Sequence, residues 1–363
     1  MTTPAAWDAI VIGAGIAGLC AAREISQTGR RVLVLDKSRG IGGRMATRRL
    51  GNAVCDHGAQ FFTVRTSGFG DIVSTAGNAG AIVPWCTGFP RPAGDTVPTE
   101  SAGDGHPRWR GVRGMTDLAK WVTGGLPRSC SLRTGCKVVA VRMSDRQAVV
   151  DVEVEGAGVE SLTTRTVVLS PPVPQSLDLL AAGGLLGDER AGVSGAPLDD
   201  GAIRLLRTVD YDPCFALMLV LAAASRVPPP GAMQFAPDAP GPIAWLADNH
   251  QKGISPVPAL TVHATGRFSR EHFDRPPDEV VALLLEHLQP WIDGDLPGAV
   301  LERSLHRWKF ALPTNPVPEP LVSVSSTPPI VCCGDAFAGP RVEGAASSGL
   351  AAGRWVIEAL AAG

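Results

Sequence analysis

The feature that most constrains this chain lies near its start. Four apolar residues, Ala9-Ile10-Val11-Ile12, run straight into Gly13-Ala14-Gly15-Ile16-Ala17-Gly18, and Asp36 closes a second apolar run, Arg31-Val32-Leu33-Val34-Leu35. The spacing predicts a strand ending at Ile12, a tight turn at Gly13, close backbone approach to a pyrophosphate at Gly15, and close packing of the next helix at Gly18. That helix begins at Ile16 and Ala17, so its free N–H groups face an anion. Asp36, with Lys37 beside it, stands about twenty residues beyond the glycines, where a carboxylate accepts hydrogen bonds from both ribose hydroxyls and disfavours a 2′-phosphate. In a chain with 42 glycines the alternative is an accidental Gly-rich turn.

A second Gly-rich loop comes directly after: Arg39-Gly40-Ile41-Gly42-Gly43-Arg44-Met45-Ala46-Thr47. Two phosphate-handling loops in this order point to FAD more than to NAD. Gly43 and Arg44 are expected at the cofactor, Arg44 as an anion contact.

At 363 residues the chain exceeds one typical core, which predicts two domains or one domain with a large insertion. Lys and Arg total 33 against 35 Asp and Glu, a formal charge of −2, so no nucleic-acid partner is expected. The eight cysteines show no CxxC and no Cys/His ligand spacing; they read as buried, reduced thiols of a cytoplasmic protein, and no metal site is expected. Ala9 to Ala22 is largely apolar, yet no Lys or Arg precedes it and its glycines sit at turn spacing, so a strand-turn-helix is preferred to a secretory leader. No run of about eighteen apolar residues predicts a membrane span.

Farther along, a helix is expected around Phe69–Ala76, a strand at Ile82–Cys86, an exposed Pro/Gly-rich excursion at 88–107, and a helix N-capped by Thr116. Strands of a small antiparallel unit are expected from Leu132 to Val154, then a buried strand at 165–170. Loops are expected at 183–201 and 226–242, strands at 214–221, 243–246 and 259–263, and a helix at 278–288. The end returns to the start: a strand at 329–333, the turn Gly334-Asp335, and a long helix opening at Val342-Glu343-Gly344-Ala345. The fold expected is therefore α/β. A discontinuous, doubly wound Rossmann-type FAD-binding domain takes residues 1–87, 108–174 and 306–363; a second, mixed α/β substrate domain takes 88–107 and 175–305.

These segments resemble the FAD-containing amine-oxidase superfamily: Gly13-x-Gly15-x-x-Gly18, the Arg39 to Thr47 loop, and Gly334-Asp335 with its terminal helix. Others are similar to renalase and its bacterial relatives, namely Asp56-His57-Gly58-Ala59-Gln60-Phe61-Phe62, Gly114-Met115, Ser170-Pro171-Pro172, Ala247-Asp248-Asn249-His250-Gln251-Lys252 and His306-Arg307-Trp308-Lys309. The resemblance implies non-covalent FAD with its ring between two domains, and oxidation of dihydronicotinamide isomers of NAD(P)H with O2 as acceptor and hydrogen peroxide as product. Other branches oxidise amines or act as biosynthetic dehydrogenases and desaturases. It implies the glycines at the pyrophosphate, Asp36 at the ribose, Arg44 and Asp335 at phosphate and ribityl chain, Gln60 and Phe61 near the ring, and the N–H groups of 342–345 at its pyrimidine edge.

Flavin chemistry asks little of side chains, because a donor carbon held above the ring loses hydride without a strong base. The catalytic candidates are His306 and Trp308, which share a strand face, and His57. Tyr211, Trp245, Asn249 and His250 are the candidate substrate contacts. Tyr211 is the one tyrosine in the chain, which weighs against the paired tyrosines of amine oxidases. A small-molecule substrate, no membrane, and a monomer or homodimer complete the expectation. A protein that holds FAD without turnover and an NAD-dependent dehydrogenase are the readings from other classes.

Overall fold

The first strand, β1 (Ala9–Ile12), is buried along its whole length, and Gly13, at φ +100°, turns the chain into α1 (Ile16–Gln27). The structure is a computed structural model and describes residues 7–92, 103–154, 156, 158–186 and 198–362. Residues 93–102 of the expected excursion at 88–107 and 187–197 of the expected loop at 183–201 lie outside the described residues. Next come β2 (Val32–Asp36), the hairpin β3 (Thr47–Leu50) and β4 (Ala53–Asp56), α2 (Ser67–Asn78), the pair β5 (Ile82–Cys86) and β6 (Arg108–Gly111), α3 (Thr116–Gly124) and β7 (Cys130–Thr134). An antiparallel meander, β8 (Cys136–Ser144), β9 (Gln147–Val154) and β10 (Gly158–Thr164), leads to β11 (Val167–Leu169), α4 (Val173–Ala182) and α5 (Asp200–Arg207). The second unit holds β12 (Tyr211–Leu221), β13 (Ala232–Gln234), β14 (Ile243–Asp248), β15 (Ala259–Ala264), α6 (Gly266–Glu271), α7 (Pro277–Leu285), α8 (Leu296–Ala299) and β16 (Val300–Pro313). Then β17 (Val322–Ser326), β18 (Pro329–Cys332) and α9 (Val342–Ala362) rejoin the first.

The first unit is a six-stranded sheet in the order β17-β18-β11-β1-β2-β7, parallel except for β17. Both chain ends build it, which is the α/β, Rossmann-type arrangement expected. Strand alternation sends Val11, Val34, Val168 and Val331 to a face covered by α1 and α9, and Ile10, Ile12, Leu33 and Leu35 to a face covered by the β8–β10 meander and α4. Helix α9 lies so close to α1 that a Cβ on Gly349 would stand 2.0 Å from the Ala17 carbonyl oxygen.

The second unit is an antiparallel sheet in the order β13-β14-β15-β12-β16. Phe215, Leu217, Leu219, Leu260 and Val262 pack one of its faces on α7 through Val280 and Leu284. The opposite face meets β4 and the 56–61 segment of the first unit.

Three expectations need correction. The boundary at 174/175 comes too early: Leu180, Ile203 and Leu206 are buried with Ile10, Ile12 and Val141, so α4 and α5 belong to the first unit's core. Two short amphipathic helices separated by Gly-rich chain read as loop in the sequence, and that hid them. The boundary at 306 cuts through β16, which pairs with β12 from Val300 to Pro313 and so carries His306 and Trp308 in the second sheet. Thr116 opens α3 without capping it, since its hydroxyl donates to the Met45 carbonyl at 3.2 Å and accepts from Thr47 N–H at 2.8 Å.

Candidate active site

At the β1–α1 turn the glycines act in different ways. A Cβ on Gly18 would stand 2.1 Å from the Gly13 carbonyl oxygen, so Gly18 lets α1 pack on the turn. A Cβ on Gly15 would meet nothing within 4 Å, so that position faces open space. The first intrahelical bond of α1 runs from Leu19 N–H to Gly15 O at 3.0 Å, leaving the N–H groups of Ile16, Ala17 and Gly18 as the donors of an anion cradle. Asp36 is held at the rim, Oδ2 accepting from Ala14 N–H and Oδ1 from Ser38 N–H, both at 2.7 Å. Lys37 beside it is exposed. The second Gly-rich loop docks on the first: Gly42 N–H donates to Ala14 O at 2.8 Å, and Gly43, at φ +55°, brings its Cβ position to 3.4 Å from Gly15 Cα. An open, Cβ-free concavity lined by helix N–H groups with a carboxylate at its far end fits the diphosphate and ribose of FAD.

Arg44 and Asp335 form a bidentate ion pair at 2.6 and 2.5 Å, and Arg44 Nη1 also donates to Phe310 O at 3.1 Å. The two predicted cofactor contacts therefore hold one another and stitch the second loop to the Gly334 turn, where Gly334, at φ +143°, donates its N–H to Ser348 Oγ at 2.9 Å. Helix α9 starts beside that turn, its first i→i−4 bond running from Ala345 N–H to Arg341 O. The N–H groups of Val342, Glu343 and Gly344 precede it. The Glu343 side chain, however, is spent on the fold: its Oε1 accepts from Arg65 N–H and Thr66 N–H, both at 2.6 Å, at the start of α2. Only its backbone remains for a ligand.

Where the units meet, the register across the second sheet puts Trp245, His263, Ala216 and His306 side by side in one row. Thr261, two residues from His263 on the same face, donates to Asp56 O at 2.9 Å, so this row looks toward the first unit. His57 reaches into it: its ring stacks on Trp308 at 5.3 Å and meets His306 edge-on at 5.0 Å, while Trp308 Nε1 donates to His57 O at 2.8 Å. The three catalytic candidates are thus one cluster, with His306 and Trp308 on one strand face at 4.3 Å. Burial pushes His57 down to about 3 and His263 to about 4, and lowers His306 as well, so these imidazoles are neutral at pH 7. At the other end of the row Phe61, Phe89 and Trp245 form an aromatic wall with ring centroids 4.7 to 5.7 Å apart, and Trp85 joins Phe89 at 5.0 Å.

Behind that wall lies an ion pair. Lys252 Nζ sits 2.7 Å from Asp56 Oδ2, both side chains fully buried, and Asp56 Oδ1 accepts from Thr47 Oγ1 at 2.5 Å and Met115 N–H at 2.8 Å. Gln60 is held beside it, donating to Asp56 O at 2.7 Å and accepting from Lys252 at 3.4 Å. Burial lowers the Lys252 pKa, and the Asp56 carboxylate pulls it back up.

Three candidate substrate contacts fall elsewhere. Asn249 is buried but satisfied, Nδ2 donating to Thr261 Oγ1 at 3.0 Å and Oδ1 accepting from Asp56 N–H at 3.3 Å. His250 points outward, with Nδ1 2.9 Å from Ser255 O. Both build the turn rather than a binding surface. Tyr211 is packed in the first unit's core against Phe310, its hydroxyl accepting from Val173 N–H at 3.3 Å. Of the four, Trp245 alone lies in the row with His263 and His306. Two features escaped the sequence reading: His263, although polar Thr261 and His263 alternate in an otherwise apolar strand, and the pairing of Lys252 with Asp56, which lies 196 positions away.

The family model of an NAD(P)-binding Rossmann-like domain matches residues 11–71. Over 54 residues the chain is 44% identical to the Mycobacterium tuberculosis protein AofH, assigned as a flavin-containing monoamine oxidase, a match covering 15% of this chain and 12% of that protein. Over 44 residues it is 50% identical to pseudooxynicotine dehydrogenase of a Pseudomonas species, covering 12% of this chain and 9% of that one. The chain thus matches about a tenth of the length of these relatives. In shape the similarity extends throughout. A putrescine oxidase superposes with a TM-score of 0.68 at 13% identity, covering 98% of this chain and 99% of that one. An Exiguobacterium protein assigned as a protoporphyrinogen oxidase gives 0.65 at 14%, covering 96% and 98%. The chain thus shares its fold with these two oxidases over almost its whole length, and the Rossmann-like family model takes in both glycine loops within residues 11–71.

Proposed function

We propose that the chain is an FAD-dependent oxidoreductase of renalase type, which takes a hydride from a small donor, a dihydronicotinamide isomer of NAD(P)H, in the space between its two units. The observation that carries the flavin is the Gly15 concavity with the α1 N–H groups at one end and the oriented Asp36 carboxylate at the other. A bound FAD would supply the two-electron chemistry, in which the donor's hydride and one proton from solvent reduce O2 to hydrogen peroxide. The protein binds, orients and dries the site. Helix α1 neutralises the diphosphate, the Arg44–Asp335 pair fixes the loops around the middle of the cofactor, and the α9 N-terminus offers N–H groups to negative charge at the ring. The aromatic wall of Phe61, Phe89 and Trp245 excludes water from the hydride path.

No strong base is needed, because the nitrogen of a dihydropyridine supplies the electronic push, and the neutral His57 and His306 agree with that. The donor class is tested by anaerobic stopped-flow reduction of the purified holoprotein. Dihydronicotinamide isomers should bleach the flavin rapidly, and oxygen should restore it with one equivalent of peroxide. Rapid bleaching by putrescine or benzylamine, with none by the nicotinamides, would move the assignment to amine oxidation. A colourless preparation that takes up no FAD would end the flavin reading.

A further inference from the structure

Three buried polar atoms on the inner face have no hydrogen-bond partner among the described residues: His57 Nδ1, His263 Nε2 and Trp245 Nε1. They are neighbours. Trp245 and His263 are direct cross-strand partners, which puts their Cβ atoms about 5 Å apart. His263 in turn adjoins the His57 backbone, and the charged forms of the two rings would repel one another. His57 and Trp245 are each more than nine-tenths buried. A buried polar atom without a partner is costly, so three such atoms side by side make an unusual concentration. Three other polar groups on the same face are paired: Thr261 with Asp56 O, Asn249 with Thr261, and Trp308 with His57 O.

We infer that these three atoms form a hydrogen-bonding ledge that binds a neutral, planar amide-like group of the substrate and discriminates against cationic amines. Trp245 Nε1 can only donate, so the ligand must present an acceptor to it. A neutral imidazole carries one donor and one acceptor, so the free nitrogens of His57 and His263 can take an N–H from the ligand. A primary carboxamide offers one C=O and an NH2 group on one flat edge, which matches a donor beside two imidazole nitrogens. Charge points the same way. The carboxylate at this face, Asp56, is already bonded to Lys252, Thr47 and Met115 N–H. Arg48 lies near His57 and His306, and Lys252 near His263. An ammonium ion here would meet neutral acceptors backed by positive charge. The inference deepens the functional proposal and rests on it for the site's role, and it adds the group on the substrate that is recognised.

The test uses the FAD-loaded protein and non-reducing probes: benzamide, acetophenone, which keeps the carbonyl but lacks the N–H donors, and benzylammonium, each titrated by perturbation of the flavin absorbance. Benzamide should bind at least tenfold more tightly than benzylammonium. Trp245→Phe should weaken benzamide and acetophenone alike by about tenfold, while His263→Leu should weaken benzamide by a similar factor and leave acetophenone unchanged. Neither variant should shift the flavin spectrum or reduction potential of the ligand-free protein. Equal or tighter binding of benzylammonium overturns the ledge. So do variants that move the potential and leave benzamide affinity alone, because the atoms would then serve the flavin ring. If benzamide follows the expected pattern yet dihydronicotinamides fail to reduce the protein, the ledge stands and the assigned reaction falls.

Discussion

Lys252 and Asp56 carry opposite charges wholly out of water, and neither can lose its partner cheaply. Removing one member of such a pair leaves an uncompensated buried charge, so Lys252→Met should destabilise the fold by about 3–5 kcal/mol in urea unfolding. Adding Asp56→Asn should recover part of that loss, since the double variant buries no charge. A double variant no more stable than the single one would show that packing, and not charge, carries the effect. The histidines give the residue scale a pH signature. In the unfolded chain His57 and His263 protonate near the ordinary 6.5, whereas in the fold burial pushes them to about 3 and about 4. Between those values acid protonates the unfolded chain first, so stability falls as pH drops from 6.5 toward 4; above 6.5 neither group adds any pH dependence. Each histidine adds a slope of about 1.4 kcal/mol per pH unit in that window. Denaturation midpoints at pH 7 and pH 5 should therefore differ, and His263→Asn should reduce the difference. An unchanged difference would mean that His263 titrates normally in the fold.

Among the elements, the β1–α1 turn separates folding from cofactor binding at single glycines. Gly18→Ala forces a Cβ to 2.1 Å from the Gly13 carbonyl oxygen, and Gly349→Ala forces one to 2.0 Å from the Ala17 oxygen. Both should cost stability, by about 1–3 kcal/mol or more, because α1 must shift off the sheet or off α9. Gly15→Ala meets nothing in the protein and should leave the stability of the flavin-free chain unchanged, yet it places a methyl group in the concavity and should sharply reduce FAD retention on gel filtration. If Gly15→Ala retains flavin as well as the wild type, the diphosphate does not lie there. This local logic is why so much of the first unit is legible in the sequence: β1, the glycines, β2 and Asp36 lie within about thirty residues, so spacing alone fixes their geometry. The candidate site is less legible because its contacts are long-range. Asn249 and His250 read as polar ligands until the fold sets Asp56 and Thr261 against the first and turns the second outward. Lys252 finds its partner only when the chain brings Asp56 to it. His306 and Trp308 are readable because strand alternation is local, whereas the row that joins them to His263 and Trp245 depends on the register of four strands, which no short motif encodes.

For the molecule as a whole, the segment from Arg44 to Phe61 acts as the joint between the units. From its side chains and carbonyls run the Lys252–Asp56 pair, the Thr261 bond to Asp56 O, the Trp308 bond to His57 O and the Arg44 bond to Phe310 O. The first two are buried and the other two half-buried, and in the buried setting a hydrogen bond is strong and a broken one is left without water. The units cannot separate without exposing that network together with the inner sheet face, so they should unfold together. Helix α9 adds to the coupling, because the second unit is an insertion between two parts of one sheet, and that sheet is complete only after β18 has returned to β11. Calorimetry of the flavin-free protein should show one transition in which fluorescence of the second unit's tryptophans and far-ultraviolet ellipticity are lost together. The glycine concavity belongs to the first unit, yet FAD supplied at a free concentration a thousandfold above its dissociation constant should raise the stability of both units by about 4 kcal/mol and shift that single transition upward. Asp56→Asn removes the Lys252 ion pair from the joint but leaves the three bonds to backbone carbonyls and the concavity intact, so it should lower the single transition of both units together while the FAD-dependent upward shift persists. Two separate transitions in the wild-type protein would mean that the joint couples nothing.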